Sequence, residues 1–169
     1  TRVGEGAGVV YLGNWGATGY TTGYFRFQVP ITIPSGATID SANLKFWGVD
    51  HDYWISSHAL VLSADLSGNA VQPNGTEDFP GGVTQHSLAT TTVRWPSSGG
   101  LTWNEGVWNT TPSLSAIVQE IVDTQGGLAA GSYIQFWVQG EDPGADSEAG
   151  AEDLSAGGGH PTNLTVTWH

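Results

Sequence analysis

The chain contains no cysteine and no methionine, which excludes a disulfide framework, a thiol nucleophile and a zinc–thiolate centre; its fold must hold by packing alone. Cations are almost as scarce. Lys45, Arg2, Arg26 and Arg94 stand against sixteen acidic groups, for a net charge of −12, so a phosphate backbone or an anionic membrane surface is a poor partner. We therefore expect no nucleic acid and no membrane insertion. No apolar run approaches the ~18 residues of a membrane span, and no charge block or Pro/Ser-rich linker divides the chain, so residues 1–169 read as a single domain. Also missing are G-x-S-x-G, H-E-x-x-H and a glycine-rich phosphate loop entering a helix. His51, His58, His86, His160 and His169 lack zinc-ligand spacing. A non-catalytic chain is the expectation.

What the chain does have is glycine, 25 residues scattered without period, as tight turns between short strands require. Eight tryptophans and a 38% hydrophobic fraction rule against disorder. Strand alternation is clearest at 24–29, where Phe25, Phe27 and Val29 share a face, and at 38–49, where Ala42, Leu44 and Phe46 oppose Asn43, Lys45 and Trp47. It recurs at 133–139: Ile134, Phe136 and Val138 turn inward, and Gln135, Trp137 and Gln139 turn outward. Residues 9–12, 59–66, 91–95 and 164–168 read as further strands. The stretch 67–85 is turn-rich and reads as an exposed excursion, and 141–153, with six acidic groups and no aromatic, as a loop or edge segment outside the core.

One segment breaks the strand pattern. Leu114, Ile117, Val118, Ile121 and Val122 fall on one stripe of an α-helix, with Thr111 placed as N-cap, Pro112 as first helical residue and Gly126-Gly127 as left-handed exit. Such a helix needs a sheet to cover, and Trp103 and Trp108 before it read as structural anchors for the incoming loop. The fold class that follows is all-β: an antiparallel β-sandwich of the jelly-roll type with one short α-helix packed on it as a lid.

The segments YFRFQVPITIPSGATIDSANLKF, WNEGVWNTTPSLSAIVQEIV, SYIQFWVQG and PTNLTVTW resemble, in order and spacing, the DNRLRE-like modules and related jelly-roll carbohydrate-binding modules. The resemblance spans most of the chain. It implies a sandwich fold and a non-catalytic module of the kind appended to secreted bacterial enzymes, adhesins and phage structural proteins.

Sugar recognition needs flat aromatic faces beside amides, hydroxyls and carboxylates. Trp47, Asp50, Asp52, Tyr53, Trp54 and Trp137 offer that mixture and are the candidate ligand-binding residues. Calcium takes six to eight oxygens, which Asp142, Asp146, Glu148, Glu152 and Asp153 could supply; the alternative is a solvated acidic loop. Two functions are expected from different classes: an extracellular or secreted glycan-binding module, with calcium as its candidate cofactor, or a structural module that joins neighbouring subunits on a virion, filament or cell surface. Outward tryptophans serve either, covered by a sugar ring in one and by a neighbouring subunit in the other.

Overall fold

The computed structural model describes residues 9–14, 20–53, 58–72, 86–141, 147–152 and 159–169. Its strands are β1 (Val9–Asn14), β2 (Tyr20–Thr21), β3 (Gly23–Gln28), β4 (Ile39–Tyr53), β5 (Leu60–Ala64), β6 (Val93–Trp95), β7 (Trp108–Thr110), β8 (Tyr133–Gly140), β9 (Ser147–Glu152) and β10 (Asn163–Trp168), with one helix, α1 (Ser115–Gln125). They form two antiparallel sheets. One runs β10-β4-β9-β1-β2, with β7 also on β4, and the other runs β3-β8-β5-β6. The long strand β4 organises the first sheet: β10 pairs with it along 39–45, β7 along 45–47 and β9 along 48–53. This is the antiparallel β-sandwich with a single helix that the alternation predicts.

The apolar sides of the alternating strands meet between the sheets. Leu12, Ala42, Leu44, Phe46, Ala149 and Ala151 face Phe25, Leu60, Leu62, Ile134, Phe136 and Val138 in one core. Phe46 sits at an aromatic junction, edge-on to Phe25 at 4.9 Å, stacked with Trp95 at 6.1 Å and beside Trp103 at 6.3 Å. Trp103 is thus the buried anchor expected of it.

Ile117, Val118, Ile121 and Val122 of α1 are fully buried, and the helix touches β4 of one sheet and β5 of the other. It closes the sandwich as a lid, and its chain leaves through Gly126 in the left-handed region, where a Cβ would be strained. The start differs from expectation. Thr111 is not the N-cap; its N–H donates to the Leu44 carbonyl and its hydroxyl accepts the Leu44 N–H at 3.0 Å. The residue is spent continuing the β7 ladder, and α1 begins at Ser115 with no side-chain cap.

The polar side of α1 also holds structure. Gln119 accepts the Ile39 N–H and donates to the Ala37 carbonyl. Glu120 accepts the N–H groups of Thr90 and Thr91, both at 2.8 Å, and the Thr90 hydroxyl. The Thr91 and Thr90 hydrogen bonds favour its charged form and hold its carboxyl at about 2, below the ordinary 4.5. A depressed carboxylate contributes stability above its unfolded pKa and loses it as pH falls through the folded one. Wild type should therefore lose this contribution as pH falls from about 4.5 to about 2. In Glu120→Gln that part of the pH dependence should be absent, as urea melts across the window would show; an unaltered profile would mean the carboxylate plays no such part.

One sequence expectation is corrected here and a second is refined. Within the acidic stretch, 147–152 is a strand, paired with β1 on one side and β4 on the other. Its alternation is written in small residues: Ala149 and Ala151 enter the core while Glu148, Gly150 and Glu152 take the other face. The excursion is exposed where it is described, at Asn69, Val71 and Gln72, but it is tied down. Residues 67–72 do not hang free: Ala70 is fully buried, its N–H bonds the Tyr133 carbonyl, and the Arg26 guanidinium donates to the Ala70 carbonyl while covering the Tyr133 ring.

Candidate functional site

On the outer face of the first sheet, β4 and β7 bring Trp47 and Trp108 into register. The indoles meet edge to face at 5.5 Å, and the His160 ring stacks on Trp47 at 4.0 Å with only 9° between planes. His160 also meets Trp108 edgewise at 5.9 Å. Glu152 fixes the imidazole from behind: one carboxylate oxygen lies 3.0 Å from His160 Nδ1 and the other accepts the His160 backbone N–H. The result is a rigid aromatic platform.

β7 is only three residues long, and its position depends on a clamp. Asn109 is buried; its side-chain oxygen accepts the Asn104 N–H and its amide donates to the carbonyls of Asn104 and Val107. Gly48 bonds the same turn through both backbone groups, N–H to Val107 and carbonyl from Gly106. The clamp holds Val107 and Trp108 out in solvent, at 46% and 42% exposure.

Beside the aromatic pair, the same face carries polar rows set by strand register. Lys45, Thr110 and Asn163 lie side by side, then Asn43 with Thr165, then Ser41 with Thr167. Lys45, Thr110, Asn163 and Thr165 are exposed. An apolar ring face next to hydroxyl, amide and ammonium groups suits a ligand with one apolar face and an edge of hydroxyls.

The predicted site residues separate. Trp47 belongs to the platform. Trp137 does not: it faces away from the core as parity requires, yet it is only 3% exposed, because Tyr24 and His86 pack on it at 5.9 and 5.3 Å. The His86 side chain is itself covered and bonded to Asp65. Trp137 is a buried packing residue and is withdrawn from the site. Asp50, Asp52 and Tyr53 fall on the distal end of β4, their side chains outside the described set, as is Trp54. Among the candidate metal ligands, Asp142, Asp146 and Asp153 also lie outside the described residues. Glu148 and Glu152 stand on one face of β9, about 13 Å apart along the strand, and both oxygens of Glu152 are engaged by His160. In this arrangement the two do not share an ion. Among the described residues no three His, Asp or Glu side chains gather as a metal site.

Sequence reasoning missed His160 and read Trp108 as a structural anchor like Trp103, whereas Trp108 is 42% exposed on the outer face beside Trp47. Trp108 and Thr110 alternate with Asn109 and Thr111, a strand signal too short to notice beside the helix. His160 carries no local signal, since the chain reversal before β10 brings it onto Trp47. No family model matches the chain, and neither does any curated protein or solved structure.

Proposed function

We propose that this chain is a non-catalytic carbohydrate-binding or adhesion module working outside the cell, with Trp47, Trp108 and His160 as its sugar-stacking platform and Lys45, Thr110 and Asn163 as orienting groups. The observation that carries this reading is the exposed Trp108 indole, braced by Trp47 and flanked by polar rows. An exposed indole is unfavourable in water, and a pyranose ring laid on it relieves that cost. Calcium is not needed in this reading, because Glu152 beside the platform already serves His160.

A glycan array probed with the wild-type chain and Trp108→Ala tests it. The variant should change stability by less than about 1.5 kcal/mol, the upper value for an aromatic pair, and weaken binding to any glycan hit by about tenfold or more. Unchanged glycan binding in a folded variant, or no hit on any glycan class, would overturn the reading.

A second reading, a self-associating structural module of a virion, filament or cell surface, is favoured by a different observation: among the described residues no strand pairs with the far side of β10, at one edge of the first sheet.

A further inference from the structure

We propose that two copies of this chain join edge to edge through β10, antiparallel about a two-fold axis at Thr165, so that their first sheets run on as one. The proposal deepens the structural-module reading and does not depend on the glycan reading.

Backbone direction comes first. Ala42 and Leu44 aim their carbonyls at Leu114 and Thr111, and Gly48 aims both groups at the turn carrying β7. In an antiparallel ladder alternate residues point to opposite sides, so Ser41, Asn43 and Lys45 serve β10, where Thr167, Thr165 and Asn163 answer them. Leu164 and Val166 must then aim their N–H and C=O groups away from β4. Among the described residues these groups have no hydrogen-bond partner.

The side chains agree. Leu164, Val166 and Trp168 pack against the core yet stay half-exposed, whereas Leu44 and Phe46 on β4 are fully buried. They line a groove of about 420 Å³ with Phe27, Ile31 and Ile134, and Ile31 is exposed. A strand added beside β10 would cover that row and pair the open backbone groups.

Charge selects a second copy as the occupant. Each chain carries −12, so most faces of two copies repel. Yet neither 161–168 nor any residue lining the groove has an ionisable side chain. Edges that resist pairing carry charge or proline. The β3 edge carries Arg26, whereas β10, NLTVTW, is β-branched and uncharged, with proline only at Pro161 before the strand begins.

The register is self-complementary. With Thr165 opposite its own counterpart, Leu164 faces Val166 of the second copy and Val166 faces Leu164. Those are the residues whose backbone groups are open, as a hydrogen-bonded antiparallel pair requires. The outward row then sets Asn163 against Thr167 and Thr165 against Thr165, with no carboxylate in either. Because the axis is perpendicular to the sheet, both Trp47 platforms would lie on one face, about 30 Å apart by strand spacing and rise, which suits bivalent capture of a repeating ligand.

Sedimentation velocity of the full chain over a concentration series, at low and high salt, tests the contact with Thr165→Lys and Thr165→Asp. Wild type should move from the 17.7 kDa monomer toward twice that mass, more readily at high salt as the net charges are screened. Each variant alone places like charges across the axis and should dissociate about tenfold more readily or beyond. An equimolar mixture of the two should recover the dimer, which a variant that merely misfolds cannot do. A wild-type chain that stays monomeric throughout overturns the proposal. So does association that neither variant weakens, which would place self-association on another surface.

Discussion

Replacing Phe46 with alanine should destabilise the chain by about 3–5 kcal/mol, the usual cost of emptying a fully buried phenylalanine site. Phe46 is completely buried at the point where Phe25, Trp95 and Trp103 converge. Two strands, β3 and β6, and the loop leading to β7 all depend on that ring, so little can collapse into the space it leaves. With no disulfide available, nothing covalent limits the loss. Denaturant melts would measure it; a loss under about 1 kcal/mol, the range of ordinary surface changes and mild repacking, would show that the junction is not the centre of the core.

Gly48→Ala should be as damaging by another route. A Cβ at this position would stand 2.1 Å from the backbone oxygen of Asn104 and 2.8 Å from the Asn109 amide nitrogen. A backbone atom cannot swing aside as a flexible side chain can, so the turn itself must leave β4. The expected cost is about 3 kcal/mol or more, the upper range for overpacking. The functional consequence is more telling: Trp108 would lose its place against Trp47, and glycan binding should fall with stability. Asn104→Ala makes the comparison clean, because it removes an exposed side chain while keeping the backbone carbonyl that the Asn109 amide uses, and should leave both properties near wild type. A stable Gly48→Ala chain with full binding would show that the β4–β7 clamp does not position the platform.

The parts of the fold legible in sequence were those where a large apolar residue recurs at a fixed period. Leu44 and Phe46, Ile134, Phe136 and Val138, and the stripe from Leu114 to Val122 each name their face without help from the rest of the chain. β9 escaped because alanine and glycine are weak strand formers and its glutamates resemble a solvated loop. Trp137 shows the limit of parity. Alternation tells which side of a sheet a residue takes, but not whether another segment lies over that side; here Tyr24 and His86 do. Trp47 was read correctly as outward by the same rule, and the described rings that pack on it, Trp108 and His160, lie on that outer face. His160 lies more than a hundred residues from Trp47 in sequence, and no local pattern encodes a stacking made by chain reversal.

Indole resonances measured by ¹⁵N-resolved NMR test the platform most directly, since five of the chain's eight tryptophans have contrasting places in the described structure: Trp47 and Trp108 in the platform, Trp95, Trp103 and Trp137 buried. On titration with an oligosaccharide identified by the array, the Nε1–H signals of Trp47 and Trp108 should move together and saturably, while those of Trp95, Trp103 and Trp137 stay in place. Perturbation confined to the buried three, or saturable binding that leaves Trp47 and Trp108 unmoved, would contradict the account.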